Sequence, residues 1–487
     1  MPKKKSMTRV VAVMVMAQLL LASPSRAQPT CSDEDAQVLI LGAGASGIAA
    51  ARELYDNGLR DFLILEGRPE IGGRMRAVDF AGVKVEMGAN WITGVDLTNS
   101  SKFRTNPLWV LKQATNLSAI HSDYGSTVVY DDHGKNVTAQ LPRNKVKDAY
   151  ACMARLMSKM KAAGDKDITV REALTKCKWT PNNPQQNYLD WYTFDYDEAT
   201  PPDNVSLFAW RADNTDVDFG TSDFFVTDQR GFAYLLEYLG EPFLNAKVLH
   251  TAATVTSVEY SDKCVCAYVM EQGDSKRYCG KYGIMTFSIG VLQSKTVTFS
   301  PKLPEWKVEA INKYEIPLFL KVFILFNETF WDDDVQYLGR AVNDRENYTL
   351  FLPMGQLFES RPHLLLAILT GNTARQTASQ DVEVTKLHIY QALRDIYGNF
   401  RAEIVDILVP DWESNEFYHG SYSDPKLGVT TETYTKLADP VGNLYFTGEA
   451  TSEHYYGYVH GAYFAGIHTA NLILEHLEGM WKHTNAT

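Results

Sequence analysis

No stretch of this 487-residue sequence stays apolar for the roughly 18 residues that a membrane-spanning helix needs. The apolar run at residues 10–22 is too short, follows Lys3, Lys4, Lys5 and Arg9, and precedes small residues at Ser25 and Ala27. That layout reads as a cleavable secretory signal over residues 1–27, leaving no membrane anchor in the mature form. A basic excess is lacking as well. Lys and Arg number 47 against 59 Asp and Glu, a formal charge of −12; removing residues 1–27, with five basic residues and no acids, makes it −17. Such a balance disfavours nucleic acid and anionic membranes as partners and suits cationic ones. Cysteine is scarce: Cys31, Cys152, Cys177, Cys264, Cys266 and Cys279 have no zinc-site spacing and no histidine cluster near them, so no metal is expected. Being even in number, they could pair as structural disulfides in an oxidising compartment. Seven Asn-X-Ser/Thr sequons, at Asn99, Asn116, Asn136, Asn204, Asn327, Asn347 and Asn485, agree with secretion.

Glycine, by contrast, is placed with purpose. An apolar strand predicted at residues 37–41 runs into Gly42-Ala43-Gly44-Ala45-Ser46-Gly47 and an Ala-rich helix, and a second strand at residues 61–65 ends on Glu66. A strand, a glycine turn, a helix and a strand with an acid about 20 residues beyond the turn make a dinucleotide-binding unit. Gly42 permits the tight turn, Gly44 lets the backbone approach a pyrophosphate, and Gly47 lets the helix pack on the strand. The helix N-terminus, with Ser46 in its first turn, offers free amides to phosphate. Glu66 would accept hydrogen bonds from ribose hydroxyls. A second glycine pair follows in Gly72-Gly73-Arg74, and then Gly88-Ala89-Asn90-Trp91. A loop with an Arg can fold over a pyrophosphate and neutralise it, a second clamp that a nicotinamide enzyme does not need.

Near the other end, a short strand at residues 443–446 leads into Thr447-Gly448-Glu449, then Tyr455-Tyr456-Gly457-Tyr458-Val459-His460, and a last helix predicted over residues 459–477. Cofactor motifs at both ends require the chain to leave its first domain and return to it.

These residues resemble the flavin amine oxidases, and among them the secreted polyamine oxidases of plants. The resemblance runs from Val38 to about Leu477 and is carried by the GAGASG turn with Glu66, the Gly72-Gly73-Arg74 clamp, Gly88-Ala89-Asn90-Trp91, Pro410-Asp411-Trp412, and Phe446-Thr447-Gly448-Glu449 with Gly457-Tyr458-Val459. It implies an α/β protein of p-hydroxybenzoate-hydroxylase-like topology: a discontinuous Rossmann-like FAD-binding domain (residues 36–108, 226–300 and 430–477) and a mixed α+β substrate domain (residues 109–225 and 301–429). It also implies non-covalent FAD, an amine and oxygen as reactants, and release to the apoplast or cell wall, or to a vacuole. Val255 falls where the family meets the adenine with backbone atoms, and Trp412 and Glu449 fall in its cofactor motifs.

The resemblance places the family's lysine beside the flavin at Lys321, within an apolar strand read from Pro317 to Ile324. From pattern alone, that lysine is either snorkelling from a sheet edge or retained for a task. Tyr422 and Tyr458 match aromatic wall positions, although either could be a core tyrosine. Three substrate-facing positions depart from the pattern: Thr93 stands where an acid is usual, Asp197 keeps a charge on a shorter side chain, and Phe319 replaces a tyrosine. The expected activity is oxidation of spermine or spermidine at a secondary amine. An oxidase of another amine or an amino acid, or an FAD-binding protein with little turnover, remains open.

Overall fold

The computed structural model describes residues 34–98, 100–210 and 218–484. The segment read as a signal, Cys31, and the sequons at Asn99 and Asn485 lie outside the described residues. The first strand, Ala36–Leu41, has Val38 to Leu41 wholly buried, as a parallel strand covered on both faces must be. It pairs in parallel with Phe62–Leu65 on one side and with Asp274–Met285 on the other. At its end Gly42 takes φ +112°, open only to glycine, and the chain enters the helix Ala45–Asp56.

One eight-stranded sheet gathers strands from three stretches of chain. Thr298–Ser300, Ala253–Tyr260, Val265–Glu271, Asp274–Met285, Ala36–Leu41, Phe62–Leu65 and Leu249–His250 lie in that order, and Leu444–Phe446 joins beside Asp274–Met285 in parallel. The last helix, Val459–Thr484, runs along Ala45–Asp56. A second sheet has six strands in the order Ile404–Leu408, Leu320–Phe326, Leu364–Leu369, Leu350–Pro353, Tyr337–Ala341 and Thr127–Asp131. Together they give the expected fold: a discontinuous Rossmann-like sheet and a mixed α+β second region. A small sheet of Trp91–Val95, Ser222–Val226 and Ala119–His121 is also present.

Two element boundaries differ from expectation. The last helix continues to Thr484 instead of ending at residue 477. The strand bearing Lys321 is Leu320–Phe326, beginning three residues after Pro317. Residues 317–319 are diverted by the 421 loop: Phe319 N–H donates to Ser421 Oγ, which donates to the Phe319 carbonyl, and Ser421 N–H donates to Pro317 O. Disulfides join Cys152 to Cys177 and Cys266 to Cys279, and Cys264 is also disulfide-bonded. The five described sequon asparagines are all exposed.

Candidate active site

A cavity of about 790 Å³ runs between the two main sheets. Its floor begins at the glycine turn. Gly42, Gly44 and Ser46 line it, whereas Gly47 does not; a Cβ on Gly47 would sit 2.1 Å from the Gly42 carbonyl, so Gly47 serves helix-to-strand packing. The second glycine loop lies directly on the first. Gly72 N–H donates to Ala43 O at 3.0 Å, and Gly44 and Gly72 form a parallel bridge. Glu66 stands on the wall at the end of its strand, and its carboxylate accepts the Ala43 and Arg68 N–H groups at 2.8 and 2.9 Å. Burial raises its pKa against the pull of those two bonds. Just after Val255 the strand Ala253–Tyr260 shifts register, and Thr254, Val255 and Thr256 line the cavity there.

A polar network ties the two ends of the chain together. Arg74 donates to Glu449 Oε1 at 2.8 Å and to the Ser421 carbonyl at 3.1 Å. The other oxygen of Glu449 accepts Ser423 Oγ at 2.6 Å and Gly457 N–H at 2.8 Å. Ser46 Oγ lies 3.0 Å from Thr447 Oγ1. Residues at the starts of helices Ala45–Asp56 and Val459–Thr484 both line the cavity, so two helix N-termini face it. Gly73, Gly88, Ala89, Trp412, Gly448, Gly457, Tyr458 and Val459 complete this half.

Lys321 is fully buried and stands one layer behind the wall. Its Nζ donates to Asn90 Oδ1 at 3.0 Å and lies 5.5 Å from the centre of the Trp91 ring; Asn90 and Trp91 are on the wall. Asn90 is fixed in turn by its amide bond to Val226 O at 2.9 Å. The nearby acid is Glu86, whose Oε1 accepts Phe232 N–H while its Oε2 has no hydrogen-bond partner. Burial pushes Lys321 down and Glu86 up in pKa, and each charge partly opposes the other's shift.

The rest of the cavity is aromatic and acidic. Phe319, just ahead of the strand that carries Lys321, meets Tyr422 at 6.4 Å and Tyr196 at 5.8 Å between ring centres. Tyr192 stacks on Tyr196 at 5.7 Å. Tyr422 donates to the Asp197 carbonyl at 2.8 Å, and Thr93, Asp197, Glu198, Asp223 and Tyr124 also line the space.

The chain matches the family of flavin containing amine oxidoreductases over residues 45–474. It belongs to that family. It is 35% identical over 484 residues to polyamine oxidase 1 of Zea mays, with 94% of each chain covered. It is 34% identical to polyamine oxidase 6 of Oryza sativa subsp. japonica, with 90% of each covered, and 30% identical to the rice lysine-specific histone demethylase 1 homolog 2, with 90% of this chain and 57% of that one covered. In fold it is similar to a triple mutant of putrescine oxidase, with a TM-score of 0.71 at 20% identity, covering 91% of this chain and 99% of that one.

The residues of this flavin amine oxidase fit FAD. The bridged glycine loops leave the backbone bare where a pyrophosphate would lie, and Glu66 stands where the ribose-binding acid is expected. Sequence reasoning missed several wall residues. Arg68 is buried and donates to Tyr418 at 2.6 Å and to Gly73 O, bracing the second glycine loop. Asp223, within Ser222-Asp223-Phe224-Phe225-Val226, is an acid at an alternate position of an aromatic strand, a signal that period-two reading could have caught. Tyr192 and Tyr196 are presented by the π-helical turn Trp191–Asp195 and the short helix after it. Nothing local announced that turn, which is held by buried charges: Arg345 pairs with Asp190 and Asp195, and Arg171 with Asp190.

Proposed function

We infer that this chain is a secreted polyamine oxidase. The observation that carries the reading is a single cavity, with an FAD cradle at one end and tyrosines and carboxylates at the other. An aromatic and anionic arm suits an extended aliphatic cation. Its two wall arginines are engaged internally, Arg68 with Tyr418 and Arg74 with Glu449, which disfavours recognition of an amino-acid carboxylate. The similarity to plant polyamine oxidases supports the same substrate class.

FAD supplies the two-electron chemistry, taking electrons from the amine and passing them to oxygen. The net change converts a secondary amine and oxygen to an imine and hydrogen peroxide; water then splits the imine to an aminoaldehyde and an amine. Glu66 would hold the ribose hydroxyls, and the amides of Gly44 to Ser46 the pyrophosphate. Val459 and its neighbours would place a helix N-terminus against developing negative charge. Tyr422, Tyr458 and Phe319 would hold the amine flat. Lys321, acting through Asn90 and a water, would assist oxygen reduction or imine hydrolysis. The disulfides and the five exposed sequons support secretion and glycosylation. The test is an amine panel with peroxide detection and identification of the aldehyde: peroxide from spermine or spermidine is expected. Peroxide from monoamines or amino acids alone, or no flavin bleaching by any amine, would overturn it.

A further inference from the structure

The small sheet that carries Trp91 turns one face to the cavity. Strands Trp91–Val95 and Ser222–Val226 are antiparallel neighbours, with Trp91 opposite Phe225 and Ile92 opposite Phe224. Side chains two residues apart share a face, so Trp91 and Thr93 stand with Phe225 and Asp223. Phe225 packs edge-on against the Trp91 indole at 5.0 Å, and Trp91, Thr93 and Asp223 line the cavity. The same register would bring Thr93 across from Asp223, and there the pairing shifts. Gly94 N–H turns from the ladder to donate to Asp223 Oδ1 at 2.9 Å. On this face the hydroxyl belongs to Thr93 and the charge to Asp223.

The carboxylate is oriented and still has capacity. Tyr124 donates its hydroxyl to Asp223 Oδ2 at 2.8 Å and is itself held by stacking on Tyr337 at 5.4 Å. Both donors are neutral, and two hydrogen bonds leave about half of a carboxylate's roughly four acceptor sites open. Burial is the larger effect on Asp223 and raises its pKa, against the Gly94 and Tyr124 hydrogen bonds and His121, which favour the ionised form. A half-buried carboxylate on a cavity wall, fixed by two neutral donors, matches an ammonium group. Asp223 lies two strand residues beyond the contact of Phe225 with Trp91, roughly 6–7 Å along the same wall.

We propose that Asp223, oriented by Tyr124 and Gly94, receives a distal ammonium group of the polyamine and is the specificity-determining acid on this wall. This rests on the polyamine oxidase reading. Asp223→Asn keeps the shape and the Gly94 bond but removes the charge. Steady-state peroxide formation from spermidine should show KM raised roughly tenfold to a hundredfold, with kcat changed by less than about threefold because the contact lies away from the reacting carbon. N-butylpentylamine, which has methyls in place of both terminal nitrogens, should keep its affinity as substrate or competitor. Thr93→Glu in the Asp223→Asn background should recover much of the lost spermidine affinity. An unchanged spermidine KM in Asp223→Asn, with FAD content and thermal midpoint intact, would overturn the proposal. So would an equal loss of affinity for spermidine and N-butylpentylamine, which would mark a change of shape. If the wild-type protein releases no peroxide from any polyamine, the function itself fails and Asp223 loses this role with it.

Discussion

Lys321→Met separates a lysine kept for chemistry from one kept for packing. Met fills similar volume without a charge, so loss of packing is small. Asn90 Oδ1 loses its donor, a cost of about 1–3 kcal/mol for a buried acceptor. Glu86 loses the cation that restrains its pKa, and burial then pushes it further up, so that it stays neutral in place of holding an unpaired charge. The variant should therefore fold, within a total stability of about 5–15 kcal/mol. Stability against pH gives a second signature. Burial holds Lys321 below its ordinary 10.5, so unfolding takes up a proton between the lowered value and 10.5, and the contribution of this group rises with pH across that window. The Met variant should lack that rise. If Lys321 acts on the oxygen or hydrolysis step through Asn90, removing it should slow flavin reoxidation or reduction by about 10²–10³-fold with FAD still bound. Anaerobic reduction followed by rapid mixing with oxygen measures the two halves separately, and urea midpoints over a pH series measure the slope. Unchanged rates for both halves, with the stability slope lost, would show that the lysine only balances Glu86.

Glu66→Ala should weaken FAD retention by at least about tenfold, since it removes the ribose acceptor and the partner of the Ala43 and Arg68 N–H groups; equal FAD dissociation in variant and wild type would remove Glu66 from the site. Acid precipitation should leave the yellow colour in the supernatant, because no cysteine lies beside Tyr455-Tyr456-Gly457-Tyr458, and colour retained in the pellet would establish a covalent link. Arg345→Met should cost about 3–5 kcal/mol by stranding the fully buried Asp195, while Asp190 keeps Arg171 and the Trp179 N–H. It should also raise the spermidine KM as the turn carrying Tyr192 and Tyr196 loosens; an unchanged urea midpoint would refute the clamp.

The cofactor half was legible because its constraints are local. Gly42 is dictated by one backbone angle and Gly47 by one close contact, and Glu66 follows at a fixed distance along one strand-helix-strand unit. Each can be read from a few consecutive residues. The pattern marked Lys321 as out of place inside Leu320–Phe326 but left snorkelling and function open, and the family resemblance alone assigned it a role. Its place one layer behind Asn90 was not legible, because that depends on residues 231 positions apart in the chain.

The substrate wall could not be read in the same way, and the reason bears on how specificity is set here. Thr93 and Asp223 come to one stretch of cavity wall only because two strands separated by more than a hundred residues pair there, and a shift in that pairing turns Gly94 N–H toward the carboxylate. Tyr192 and Tyr196 reach the cavity only because a π-helical turn is clamped by ion pairs with Arg345, about 150 residues away. No single position in either arrangement is constrained by its neighbours in sequence. A charge can therefore leave position 93 and be supplied from position 223 without disturbing the strand, since the two side chains occupy one face and share one stretch of cavity. The glycine cradle has no such freedom, because a Cβ at Gly47 would meet the Gly42 carbonyl whatever the rest of the chain did. Cofactor residues are in this sense fixed in place, and substrate residues are fixed in space.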